Sequence, residues 1–181
     1  MELFLSFAPS NATREVLLKA AEEASAHAKG TIHRYETLHS TLVYLGEVDE
    51  EKLPELRKIV GEVSERHNKL PVEGDKVVVS QDTSIYGAWG LLYIWKKTDE
   101  VEALYQDMVD SLTKAGYLKN YSRDYLLHST LYMQYFPEEG YENAAPATPP
   151  VSDCFDRVIL YQVTEIDGHV AYYPLYETIL K

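Results

Sequence analysis

Hydrophobic and polar residues along the chain switch between a two-residue and a 3.6-residue period, and the switches predict the elements. From Glu2 to Phe7 the chain alternates around Leu3, Leu5 and Phe7, the pattern of a strand, which Pro9 and the cap candidates Ser10 and Asn11 bring to an end. From Arg14 to about Lys29 the apolar positions Val16, Leu17, Ala20, Ala21 and Ala24 recur at helical spacing, with Gly30 as a stop. A second strand is predicted from about Glu36 to Leu45. After Gly46, Asp49 is placed to cap a second helix through Leu53, Leu56, Ile59, Val60 and Val63, with Pro54 in a first turn that tolerates it.

The β-branched and aromatic runs Leu70 to Val79 and Ser84 to Trp95 read as two paired strands. Thr98 or Asp99 caps a third helix through Val101, Leu104, Tyr105, Met108, Val109 and Leu112, and Gly116 ends it. Tyr125 to Phe136 is a further strand, and Pro137 to Pro150 a long loop. Arg157 to Thr164 and His169 to Leu180 flank Ile166-Asp167-Gly168, a hairpin signal because Asp-Gly supplies the left-handed turn. The order of elements fits an α+β fold of two related halves better than a doubly wound parallel sheet.

Within this pattern the pentapeptide Leu-His-Ser-Thr-Leu occurs twice, at Leu38 to Leu42 and Leu127 to Leu131, each time inside a predicted strand. No other histidine of the six has Ser or Thr two places on, so the repeat singles out His39 and His128 from His27, His33, His67 and His169. Side chains two apart on a strand share a face, so His39 projects with Thr41, and His128 with Thr130 and Tyr132. Leu38, Ser40, Leu42 and their counterparts face the other way, where the serines need partners. Two strands facing across a cleft bring two imidazoles and two hydroxyls to one small space. That set suits phosphodiester cleavage: one neutral ring takes a proton from the attacking oxygen, and the other, protonated, gives one to the departing oxygen. The threonine hydroxyls donate to the non-bridging phosphoryl oxygens. No metal or other cofactor is called for.

Composition narrows the substrate. The 181 residues suffice for one domain of two intertwined lobes, and 45% hydrophobic with 25% charged residues is ordinary globular usage. A formal net charge of −12 argues against long DNA or RNA, which needs a basic surface, and favours a small nucleotide or short RNA end. A single cysteine, Cys154, and the lack of any apolar run of membrane-spanning length point to a cytoplasmic protein that works without membrane partners. The oligomeric state is left open, with a monomer as the expectation.

Two His-x-Ser/Thr motifs about half a chain apart, each followed by apolar residues, resemble the 2H phosphoesterase superfamily. Leu38 to Val48 resembles the first motif of the bacterial and archaeal RNA 2′,3′-cyclic phosphodiesterases, also called 2′-5′ RNA ligases, and Arg157 to Tyr161 with Tyr173 to Leu180 is similar to their closing hairpin. Asp75 to Leu112 resembles instead the plant and fungal cyclic phosphodiesterases that open ADP-ribose 1″,2″-cyclic phosphate. The resemblance implies a two-lobed α+β fold with pseudo-twofold symmetry, antiparallel sheets lining a central cleft and helices packed outside. It implies catalytic His39 and His128, with Thr41 and Thr130 on the phosphate. Ser40 and Ser129 depart from it, because the residue after each motif histidine is usually apolar in that family. Tyr132, Tyr86 and Trp89 are the aromatic candidates for holding a base, and Arg34 and Arg123 lie near enough in sequence to be considered for a second phosphate. A module that sequesters a nucleotide in the same cleft without turnover is the alternative function.

Overall fold

The computed structural model describes residues 1–81, 89–119, 121, 125–142, 145–148, 150–166 and 169–181, with the His169 side chain set aside. Tyr86, Arg123 and the Asp167-Gly168 turn therefore lie outside the described residues. In chain order the elements are β1 (Glu2–Phe7), α1 (Asn11–Ala24), β2 (Ala28–Ile32), β3 (Ser40–Glu47), α2 (Leu53–Ser64), β4 (Leu70–Ser80), β5 (Trp89–Lys96), α3 (Asp99–Lys114), β6 (His128–Pro137), β7 (Ser152–Phe155), β8 (Arg157–Ile166) and β9 (His169–Ile179).

Among the described residues, nine strands form one antiparallel sheet of order β7-β4-β5-β6-β3-β1-β8-β9, with β2 added on β6. At its middle, β6 meets β3 through a single register pair, Ser40 opposite Ser129. That junction divides the sheet into an arm ending in β6, which carries His128, and an arm beginning at β3, which follows His39. The two related halves read from the sequence are these arms, fused into one sheet.

α1 and α3 begin where the sequence places caps, whereas Asp49 makes no cap bond: a 3₁₀ turn over Glu50–Lys52 follows it, and α2 begins only at Leu53. Ser10 accepts from the Thr13 N–H at the start of α1, and Thr98 accepts from the Val101 N–H at the start of α3. Pro54 occupies the first turn of α2, where its missing N–H costs nothing. α1 lies against β2 and β6, α2 against β8, β9 and α3, and α3 against β3. α1, which follows β1, and α3, which follows β5, thus each cross to the other arm, whereas α2 follows β3 and covers β8 and β9 of the same arm. Leu17 and Ala21 of α1, Leu56 and Val60 of α2 and Leu104 and Met108 of α3 bury against Leu3, Leu5, Leu42, Leu131 and Leu160 of the sheet. Removing that apolar area from water is the main stabilising term.

Two strands escape the sequence reading, and one glycine explains the first. α1 stops at Ala24, well before the predicted end near Lys29, and Gly30 does not terminate it. Gly30 sits inside β2 with φ +137°, opposite Tyr135, where an added Cβ would lie 1.4 Å from the Gln134 carbonyl oxygen. Its lack of a side chain serves close approach of two strands rather than a helix end. The second, β7, closes the outer edge of β4 just after the proline-rich loop. Elsewhere β4 pairs with β5, and β8 with β9, as expected.

Gly30→Ala is expected to destabilise the protein by about 3 kcal/mol, combining a disfavoured φ with a clash against main chain. A shift of the urea midpoint at unchanged slope checks this.

Candidate active site

The two pentapeptides are locked together from behind. Ser40 and Ser129 are fully buried and share a hydrogen bond of 2.7 Å between their hydroxyls, while the indole Nε1 of buried Trp95 donates to the Ser129 oxygen at 3.1 Å. These are the partners that serines on the helix-facing side require, and they account for polar residues where apolar ones are usual. The neighbours Leu38, Leu42, Leu127 and Leu131 are likewise buried. Continuing the Ser40–Ser129 register by one residue each way sets His39 across from Thr130 and Thr41 across from His128. The motif histidines and threonines of both arms thereby flank one junction, and His128 lies near enough to bear on the charge of His39. Both threonines are half-buried on the open side of the sheet.

Neither histidine lies within its strand as fully as the alternation suggested. His39 precedes β3, following a short 3₁₀ turn over Tyr35–Thr37, and His128 is the first residue of β6. The position has a use, because the chain bends there and carries a backbone carbonyl under the ring. His39 Nδ1 lies 2.7 Å from the Thr37 carbonyl oxygen, and His128 Nδ1 lies 2.9 Å from that of Leu126. A carbonyl only accepts, so each Nδ1 carries the hydrogen and each Nε2 is left for the cleft. The same tautomer arises in both copies from a carbonyl two residues upstream.

Beyond this shared frame the two rings differ. His128 is half-buried, whereas His39 is only 8% exposed. Around His39 stand Phe4 of β1 at 4.8 Å between ring centroids, Tyr172 of β9 edge-on at 5.2 Å, His33 at 5.3 Å and Tyr161 of β8 at 5.9 Å. Burial in this aromatic box pushes the His39 pKa down to about 3, with the neighbouring His33 and then His128 adding to the shift. His33 is buried too and is pushed down to about 4 for the same reason, although its Nδ1 contact with the Arg34 carbonyl works the other way. Arg14 of α1 braces the turn before His39, donating from Nε to the Pro9 carbonyl and from Nη1 to those of Tyr35 and Glu36.

The other sequence candidates are placed differently. Tyr132 is 3% exposed and packs in the main core edge-on to Tyr135, so it does not share the open face of His128 and Thr130. Register shifts against both β2 and β5 at this point of β6 turn Leu131 and Tyr132 inward together, breaking the strict alternation on which the expectation rested. Trp89 is half-buried opposite Tyr135, seven residues along β6 from His128, or roughly 23 Å at the usual rise per residue. Arg34 is exposed. The sequence reading passed over His33, Phe4, Tyr161, Tyr172 and Arg14, since four of the five belong to elements remote from the motifs. Among the described residues, no group of three His, Cys, Asp or Glu side chains is arranged to hold a metal ion. No helix among them is long and apolar enough to cross a membrane.

Comparison with known proteins bears on this geometry. Residues 7–87 match the family model described as LigT like Phosphoesterase. Over 99% of its length the chain superposes on 98% of TT0787 of Thermus thermophilus, with a TM-score of 0.75 and 17% identity. Escherichia coli LigT complexed with 3′-AMP gives a TM-score of 0.74 at 19% identity, covering 99% of this chain and 97% of that one. This chain has the LigT-like 2H phosphoesterase fold. The MHV ns2 PDE domain shares the LigT-like arrangement more loosely, at a TM-score of 0.59 and 14% identity over 99% of this chain and all of that one. The resemblance carried by the two pentapeptides thus holds for the fold as a whole.

Two buried neutral imidazoles make stability depend on acidity. In the unfolded chain both rings take up protons near the ordinary value of 6.5, whereas the folded protein resists until about 4 for His33 and about 3 for His39. The unfolded state therefore binds more protons in that window. Their contribution is complete above pH 6.5 and is lost as pH falls toward 4, by up to about 1.4 kcal/mol per pH unit for each ring. Urea unfolding between pH 6 and 4.5 is expected to show a shallower pH slope in His33→Gln than in the unaltered protein, by about that one-ring amount.

Proposed function

We propose that this chain is a metal-independent phosphodiesterase that acts on a 2′,3′-cyclic phosphate, a 2′-5′ linkage or a small cyclic oligonucleotide, with His39 and His128 as its proton-transfer pair. The observation that carries the reading is the Ser40–Ser129 register pair, because it brings the two motifs together at one junction, with each histidine's Nδ1 taken up by a backbone carbonyl and its Nε2 left for a substrate. Each arm supplies one histidine and one threonine, so the chain acts as one domain of two lobes and needs no second copy. Support for a nucleotide ligand comes from E. coli LigT, which shares the fold and is known in complexes with 3′-AMP, NADP⁺ and ATP. The acidic net charge of −12 favours small substrates over long nucleic acid, and the single cysteine suits a reducing cytoplasm.

In this reading the phosphorus lies between the two imidazoles and the two threonine hydroxyls donate to its non-bridging oxygens. Charge building on those oxygens in the transition state meets donors already in place, so little reorganisation is required. His39, held neutral by burial, accepts the proton of the attacking water at its Nε2. His128, the more open ring, delivers a proton from Nε2 to the departing ribose oxygen. Proton transfer of this kind is worth roughly 10²–10⁴-fold per ring.

A panel of 2′,3′-cyclic nucleotides, ADP-ribose cyclic phosphate, 2′-5′ oligoadenylate and cyclic dinucleotides, assayed with excess chelator, tests the proposal. Turnover of at least one is expected, with losses of about 10²–10⁴-fold in His39→Ala and His128→Ala and on the order of 10²-fold in Thr41→Val and Thr130→Val. Silence across the panel, or turnover that survives removal of both histidines, would reject it. Tight binding with the ligand recovered intact would point to sequestration instead.

The roles of the two rings separate in the pH profile. With His39 as base, kcat/KM stays level on the acid side down to about pH 5, since that ring remains unprotonated there. An acid limb between pH 5 and 7 would transfer the base role away from His39.

A further inference from the structure

A proton acceptor must come within about 2.6–3.2 Å of the atom it serves, yet His39 is 8% exposed while its partner His128 is half-buried. Something covers the ring that the reaction has to reach. Four side chains surround it, and three of them, Phe4 at 4%, Tyr161 at 4% and His33 at 5% exposure, are fixed in packed surroundings. Phe4 and Tyr161 stack on one another at 5.3 Å on strands inside the sheet, and the His33 N–H is bonded to the Leu131 carbonyl of β6. Moving any of these disrupts the sheet or the packing beneath it.

Tyr172 packs against the same cluster, edge-on to Phe4 at 5.1 Å and near Tyr161 at 6.4 Å, but it differs in exposure and in its place in the sheet. It is half-buried, and it stands on β9, the last strand on its side of the sheet among the described residues. Its ring lies edge-on to His39 at 5.2 Å and 89°, and is stacked on His33 at 5.7 Å and 28°. From there its hydroxyl reaches the other arm, donating to the Met133 sulfur of β6 at 3.6 Å. A thioether is a weak acceptor, so this bond yields more readily than one to oxygen. The side chain therefore spans the cleft directly over His39, joined to the opposite arm by a weak contact and rooted on a strand with solvent on one side.

On the strength of the function proposed above, we infer that Tyr172 is a swinging cover for His39: a positioning residue whose closed state shields the ring and whose open state admits the substrate phosphate. Rotation about its side-chain bonds exchanges the Met133 bond and the ring contacts with His33, Phe4 and Tyr161, among others, for solvent and for the incoming nucleotide, without shifting the backbone of the sheet. The open state of such a two-state element is a minority in the free protein, commonly about 0.1–10% of molecules. Met133 is the catch, and Tyr172 thereby helps determine which substrates reach the buried histidine.

The test reads the exposure of His39 directly and needs no substrate. Diethyl pyrocarbonate carbethoxylates neutral imidazoles, and mass spectrometry of the derived peptides gives the rate at each histidine. In the unaltered protein His39 is expected to react more slowly than His128. If the cover is open for about a tenth of the time or less, Tyr172→Ala raises the His39 rate about tenfold or more. Rates at His128 and at His67, which follows α2 and bonds to Asp107 of α3, stay unchanged. Tyr172→Phe keeps the ring and removes the bond to Met133, so its His39 rate falls between the two. An unchanged His39 rate in Tyr172→Ala overturns the inference, as does a rise shared equally by His67, which reports general loosening. Tyr172→Leu replaces the alanine variant if that one does not fold. Turnover of cyclic phosphate is followed alongside: its complete absence in every form removes the proposed function while the labelling result still decides whether Tyr172 covers His39.

Discussion

One buried hydrogen bond organises this molecule, between the hydroxyls of Ser40 and Ser129. Two serines facing one another in an apolar layer each satisfy a group that would otherwise cost about 1–3 kcal/mol to leave unpaired, and the Trp95 indole completes the set. Because the bond joins equivalent positions of the two pentapeptides, it fixes register as well as energy. A one-residue slip would turn the serines to the open face and send the histidines into the core. The placement of all four candidate groups in the cleft follows from that single pairing.

The pairing also explains why the two copies need not behave alike. Their local frames agree down to the carbonyl two residues upstream that receives each Nδ1 hydrogen. What stands over each ring is contributed by the rest of the chain, and the His39 arm brings Phe4, Tyr161 and Tyr172 while the His128 arm leaves its histidine open. Identical sequence supplies the same group twice, and unlike surroundings bury one ring while leaving the other half-exposed.

Much of this was legible in the chain because it rests on local patterns. The alternation of Leu3, Leu5 and Phe7, the caps Ser10 and Thr98 and the helical spacing of α3 act within a few residues, and the elements they predict are present. The serines' need for partners behind the histidines was legible for the same reason. What was not legible depends on contacts between distant segments. β2 exists because β6 offers it an edge, and Gly30 reads as a helix stop until the Gln134 carbonyl beside it is known. Tyr132 was assigned to the cleft by strict alternation, which the register shifts on β6 interrupt. His33 lacks the motif and touches His39 only through the fold, so no spacing rule selects it.

The joint between the two arms has a mechanical consequence. β3 and β6 share one residue pair at the centre of the sheet and then diverge, each bonded to its own outer strands. A flexing of the sheet about this seam moves the outer strands through wide arcs and the residues at the seam hardly at all, as with the blades and rivet of a pair of shears. The spacing of the two histidines and two threonines is thereby insulated from the shape of whatever occupies the flanks.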